Sequence, residues 1–422
     1  MTAQSSAELL AQPFDAESAT NPYPVYARLR NEAPVHRIAL PDGSPVWLVL
    51  READVRAGLA DPRLSVNKAA SGTGYKGFSL PPALDANLLN IDADDHLRLR
   101  RLVSKAFTAR HVETLRHRVH AAVDQLLDSL SEQGEADLAA DFAGRLPITV
   151  IGDLFAVPEP DRAPFARWAS TMFAAGHSGQ IAQAIDAIHV YLLDLISARR
   201  STPGEDLLSA LIVARDDGDK LTENELVSLA FLILMAGSEN VQHLITSGVL
   251  TLLCHPKQLT AVREDSSLFP TAVEELLRYV HPNQMAIRRF PTEPVEFSGI
   301  AIPSGDTVML CLASANRDPD RYPDPDQFDI HRKDTAHLAL GQGVHYCLGA
   351  PLARLQIRIA IETLVRRFPR LGLTVDVEQL RWRSSWRSHA LRELPVTLAP
   401  SASRQGVKRP SQPSATIPTS SS

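Results

Sequence analysis

Apolar residues along this chain recur mostly at helical spacing, with two stretches where they alternate instead. Val35–Ala39 and residues 46–50 flank Pro41-Asp42-Gly43 and read as a β-hairpin. A second small β region is predicted at 295–297, 300–302 and 307–310, punctuated by Ser298-Gly299 and Pro303-Ser304-Gly305. The longest helix candidate opens on Thr222-Glu223-Asn224-Glu225, a capping-box pattern. It runs to about Leu253, just before His255-Pro256. Some 30 helical residues would span on the order of 45 Å, enough to cross a whole domain. Their apolar positions lie on all sides, as in a helix buried all round. The pattern predicts a mostly α fold with small β-sheets.

The 422 residues show no linker-like interruption in the middle, so a single domain over 13–399 is expected. Residues 1–12 read as a flexible tail, and 400–422 as a disordered tail rich in Ser and Pro. The net charge of −6, from 43 basic and 49 acidic residues, gives no electrostatic case for nucleic acid. Three cysteines (Cys254, Cys311, Cys347) form no metal-type pair and no disulfide framework, which suits a reducing cytoplasm. The N-terminus lacks a basic and an apolar region of the signal-peptide kind. The longest strongly apolar run, 226–237, is too short to span a bilayer. No membrane role is expected, and nothing demands an oligomer, so a monomer is the simplest expectation.

Cys347 carries the most chemistry. It sits in Leu340-Gly341-Gln342-Gly343-Val344-His345-Tyr346-Cys347-Leu348-Gly349, directly before an amphipathic helix. Glycines let the backbone fold tightly round the thiol, and the helix N-terminus offers N–H groups that favour a thiolate. A thiolate so held is a strong axial ligand for haem iron.

Three further segments, in order, make the chain resemble a bacterial cytochrome P450 over about residues 15–398. Glu275-Leu276-Leu277-Arg278 matches the ExxR motif, whose i,i+3 side chains meet as an ion pair serving fold and haem incorporation. A third cation usually joins from the Pro-rich meander near Pro323–Asp329, but Gln327 stands where Arg is common and leaves that partner open. Asp94-Asp95-His96-Leu97-Arg98-Leu99-Arg100 places His96 and Arg100 on one helix face. By the resemblance these two, with Arg289 and His345, bind the haem propionates, a setting where charge-assisted bonds offset desolvation. Met235-Ala236-Gly237-Ser238-Glu239-Asn240 matches the oxygen-handling pattern at Ala236, Gly237 and Glu239. Two departures stand out. Leu340 replaces the usual Phe at the start of the cysteine loop. Asn240 replaces the threonine of the acid–alcohol pair that helps deliver protons, and an amide is a poorer proton relay than a hydroxyl.

The resemblance implies the cytochrome P450 fold, with the haem between the long central helix and the cysteine-side helix. Haem b (iron protoporphyrin IX) is the implied cofactor and Cys347 the iron ligand. The implied reaction is O2- and electron-dependent oxidation, most simply hydroxylation, of a medium-sized natural product in secondary metabolism. Asn240 keeps open oxidative C–C or C–N coupling or desaturation without oxygen insertion. Ferredoxin and ferredoxin reductase are the implied electron donors, since no flavin or iron–sulfur segment is present. Arg98, Arg101, Lys105, Arg354 and Arg358 are candidate cations for docking an acidic ferredoxin. The implied pocket draws on residues 65–90, 173–181, the long helix, 283–287 and the tip near Trp386. Asn283 and Gln284 would add polar capacity, and Met285, Ile287 and Trp386 apolar surface. A non-catalytic haem sensor is disfavoured by the retained segment Ala236-Gly237-Ser238-Glu239.

Overall fold

The alternating segments pair as their pattern requires. Strands β1 (Val35–Ala39) and β2 (Pro45–Val49) form the antiparallel hairpin, one residue earlier at β2 than expected, with Val35 opposite Val49. Strands β3 (Val295–Phe297) and β4 (Ile300–Ile302) make the second hairpin, and β5 (Val308–Leu310) runs parallel to β2. Leu48, Val49 and Leu310 are fully buried, so this small sheet has a core of its own. This computed structural model describes residues 13–398 except 73, 76–79, 174–177 and 217–220. The tails expected at 1–12 and 400–422 lie outside the described residues.

Helices dominate the rest. They include α1 (Tyr23–Glu32), α2 (Ala93–Ser104), α3 (Arg116–Ser131), α4 (Arg145–Leu154) and α5 (Ser178–Ser201). Further along come α6 (Glu223–Ala236), α7 (Glu239–Cys254), α8 (Phe269–Val280) and α9 (Ala350–Arg367). Helices α3, α7, α8 and α9 pack together as a bundle. At Gly248 of α7 a Cβ would stand 3.0 Å from Ile361 and 3.2 Å from Leu276, so a side chain there would wedge the crossing apart. Helix α5 alone among the described helices is long and apolar enough in composition to cross a membrane, and a third of that stretch (33%) is buried. It packs on α6 and on the helix Glu159–Phe173.

The capping box at Thr222 forms as read: its hydroxyl accepts from Glu225 N at 3.2 Å, and Thr222 N donates to the Glu225 carboxylate at 2.8 Å. The single long helix does not form. It breaks between α6 and α7 at Gly237-Ser238, where the Ser238 hydroxyl donates to the carbonyls of Leu234 (2.9 Å) and Met235 (3.2 Å). A hydroxyl competing for ladder acceptors beside a glycine is a common cause of such kinks. Apolar periodicity carries no trace of it, because both halves are equally buried.

Arg278 and Glu275, 1% and 2% exposed, form a bidentate pair at 2.8 Å for each bond. Arg278 also donates to the carbonyls of Asn316 (2.9 Å), Pro325 (2.8 Å) and Gln327 (3.2 Å), pinning the meander onto α8. The partner left open in the sequence is Arg332, whose Nε lies 3.2 Å from Glu275. Gln327 contributes its backbone carbonyl instead. Replacing Arg278 by Met strands a buried carboxylate and should cost about 3–5 kcal/mol. Arg332→Met leaves the main pair intact and should cost about 1–3 kcal/mol. Guanidinium denaturation of the haem-loaded variants checks the ranking, and equal losses would refute it.

Candidate functional site

The cysteine loop is shaped by two left-handed glycines, Gly341 (φ 73°) and Gly343 (φ 71°). At Gly343 the need is also steric, since a Cβ would come 2.9 Å from the Leu59 carbonyl. Cys347 N donates to Leu340 O at 2.8 Å and closes the loop. Burial pushes the Cys347 thiol up, opposed by the N–H groups of Gly349 and Ala350 and by Arg100 and Arg354. A coordinated metal reverses that balance, because a metal-bound thiol is deprotonated outright.

Helix α2 brings cations to this loop. Arg100 donates to the Tyr346 carbonyl at 2.6 Å, and the His96 and His345 rings stand 4.3 Å apart, tilted by 56°. Asp92, just before α2, lies 3.9 Å from His345 Nε2. It also accepts from Ser65 Oγ (2.5 Å) and from the backbone N–H of Val66 (3.0 Å). Burial works against its ionised form, yet these bonds hold its carboxyl well below the usual range. Burial, then His345 and Arg100, pull His96 down to about 4. The Arg289 side chain, 2% exposed and lowered to about 10 by burial, makes among the described residues only a long bond to Ile287 O at 3.4 Å. His96 Nε2 is buried with no partner among the described residues. Desolvated donors left this poorly paired are expensive unless an anion arrives to meet them. A dicarboxylate cofactor such as haem fits that need, so the residues present suit the group the sequence implies. His96, Arg100, Arg289 and His345 would hold its carboxylates and Cys347 its iron.

The helix break supplies a second set of groups. Ala236 is exposed and residues 237–240 are half-buried, although both flanking helices are buried almost throughout. Gly237 is required by packing, since a Cβ there would meet Ile151 at 3.0 Å. Glu239 accepts from Arg383 Nη1 at 3.1 Å and lies 3.4 Å from His243 Nε2. Asn240 stands beside it in the first turn of α7.

The expected substrate contacts spread more widely. Gln284 accepts from the Tyr26 hydroxyl and is 2% exposed, while Met285 is buried opposite Cys311. Trp386 packs against Phe14, ring centroids 5.8 Å apart. Gln284 and Trp386 line a cavity of about 280 Å³ with Phe14 and Tyr26, on the α1 side of the sheet. Asn283 and Ile287 are half-buried, and of the 173–181 segment residues 174–177 lie outside the described residues.

Among the candidate docking cations, Arg98 is held by Glu225 and Asp95, Arg354 by Glu274, and Arg358 by Glu362. Arg101 and Lys105 are exposed and have no carboxylate partner among the described residues. Asp92, Arg332 and Arg383 escaped the sequence reading. Asp92 was findable, as the acid that opens Asp92-Ala93-Asp94-Asp95-His96, whereas the two arginines reach their partners across 57 and 144 positions.

Residues 156–371 match the family model described as cytochrome P450. The chain is 46% identical over 381 residues to the cytochrome P450 monooxygenase PikC of Streptomyces venezuelae, covering 90% of this chain and 91% of that one. Among solved structures it is similar to the tirandamycin C-bound P450 monooxygenase TamI, with a TM-score of 0.87 and 41% identity. That match covers 91% of this chain and 99% of the other. It is also similar to CxnD, a P450 for C–S bond formation in chuangxinmycin biosynthesis (TM-score 0.82, 37% identity, covering 90% and 95%). Likeness of this extent, with a cysteine loop and a cation cluster suited to haem, places the chain in the cytochrome P450 family of haem-thiolate oxidoreductases.

Proposed function

We propose that the protein is a haem b monooxygenase that hydroxylates a medium-sized natural product of polyketide type. The observation that carries this is the cation cluster with its unpartnered donors beside the Cys347 loop. PikC and TamI, similar over nine-tenths of the chain, support a role in secondary metabolism. Ferredoxin and its reductase supply electrons, Arg101 and Lys105 being the cations free to meet an acidic donor. A monomer in the cytoplasm suits three free cysteines.

Haem, when bound, supplies the activation of O2 by a thiolate-ligated iron. The chain does the rest. Cys347 is presented by a loop that leaves its sulfur backed by the Gly349 and Ala350 N–H groups. His96, Arg100, Arg289 and His345 neutralise the cofactor's carboxylates and fix its orientation. Glu239 holds a proton-exchanging carboxylate at the break, steadied by Arg383 and His243. Asn240 orients water through its amide but cannot relay a proton as a hydroxyl does. Ile287 and Asn283 border the substrate, and Gln284, Met285 and Trp386 shape its approach from the α1 side. Oxidative coupling or desaturation is the second reading; Asn240 favours it, and CxnD shows that a similar chain forms C–S bonds.

Turnover under ¹⁸O2 with surrogate ferredoxin partners separates the two. One labelled oxygen in the product is expected; a product that loses two hydrogens or joins two molecules without label would establish the second reading. Cys347→Ala should abolish the thiolate-type carbon monoxide spectrum, while Cys254→Ala and Cys311→Ala keep it. Glu239→Gln should slow turnover by roughly 100-fold with that spectrum intact. Asn240→Thr should raise product formed per electron pair, and an unchanged yield would remove Asn240 from proton handling.

A further inference from the structure

Arg288 precedes the cofactor-facing Arg289, and neighbouring side chains on an extended segment point to opposite sides. Arg289 feels the charge of Asp92 and acts on His96, so it faces the cofactor cluster. Arg288 turns to the 65–90 segment instead. Its Nη2 donates to Asn90 Oδ1 at 2.6 Å, and its guanidinium lies 4.8 Å from the centre of the Tyr75 ring. Its Nε is buried with no hydrogen-bond partner among the described residues.

Asp85, the carboxylate whose charge Arg288 feels, does not satisfy it. Asp85 is held by Lys68 Nζ at 2.5 Å and by Asn90 Nδ2 at 2.9 Å. Arg387 adds a second positive charge felt by Arg288. Lys68 therefore takes the Asp85 carboxylate, and Arg288 feels it only at a distance. A guanidinium half-buried on an aromatic face, with an unpartnered Nε and no carboxylate pair among the described residues, suits an anion that it can meet with more than one N–H. Tyr75, Asp85 and Asn90 belong to the 65–90 segment expected to surround the substrate, and Arg288 directly follows the expected 283–287 stretch.

We infer that Arg288 is a specificity-determining residue that anchors a carboxylate on the substrate, so that this enzyme acts on an acidic natural product. The inference rests on the proposed oxidation of a natural product and narrows its substrate class. The bound acid presents its carboxylate to the Nε edge, Tyr75 stacks on the guanidinium, and Asn90 fixes the plane. Amine-bearing substrates are repelled by the same charges.

The test is a spectral titration of the haem-loaded enzyme with myristic, abietic and mycophenolic acids, each against its methyl ester. In the wild type at least one acid should bind about tenfold or more tighter than its ester. Arg288→Gln should bring that ratio to about one, and Arg288→Lys should keep part of it. No acid preference in the wild type, or one that persists in Arg288→Gln, overturns the inference. Loss of haem from Arg288→Gln also overturns it, by assigning the guanidinium to the cofactor's carboxylates. A wild type without the thiolate-type carbon monoxide spectrum would instead sink the haem monooxygenase reading itself.

Discussion

The Glu275–Arg278 pair is the constraint on which the rest of the structure depends. Two charges removed from water are tolerable only when every donor and acceptor is spent. Arg278 spends its own on one carboxylate and three backbone carbonyls. Glu275 completes its shell with Asp329 N at 2.9 Å and with Arg332. The price of burying the pair is what fixes the meander, a stretch with little regular structure of its own. That stretch leads directly into the cysteine loop, so the place of Cys347 is set by a charge pair that lies about seventy residues earlier in the sequence.

A similar logic applies with opposite sign at the cofactor cluster. There the side chains are desolvated but left short of partners among the described residues, and burial lowers the pKa of both His96 and Arg289. A dicarboxylate group seated here would relieve these buried side chains, and its binding free energy would then also be folding free energy. Helix α2 is tied both to the cysteine loop, through Arg100, and to α6, through Arg98 and Glu225.

Much of this was legible in the sequence because it rests on local chemistry. The capping box at Thr222, the hairpin at Val35–Ala39, the i,i+3 pair at Glu275 and the glycines round Cys347 each follow from a few neighbouring residues. The break at Gly237-Ser238 was not, because a serine hydroxyl turning back on its own carbonyls leaves the apolar pattern unchanged. Arg332 and Arg383 were equally hidden: no spacing rule links an arginine to a carboxylate on another element. Gln284 reads as pocket-forming from its segment, and only the structure shows that its amide oxygen accepts from the Tyr26 hydroxyl.

The break in the central helix has a mechanical meaning. Helix α6 belongs by its contacts to α5 and the short helix Pro82–Asp85, whereas α7 belongs to the bundle of α3, α8 and α9 on the cysteine side, and α4 touches both. An unbroken rod would transmit every displacement of the first group to the second. Two shorter rods, the first with its own capping box, meet at a joint whose ladder bonds are already interrupted. A displacement of the α5 layer would be taken up at this joint rather than passed along α7.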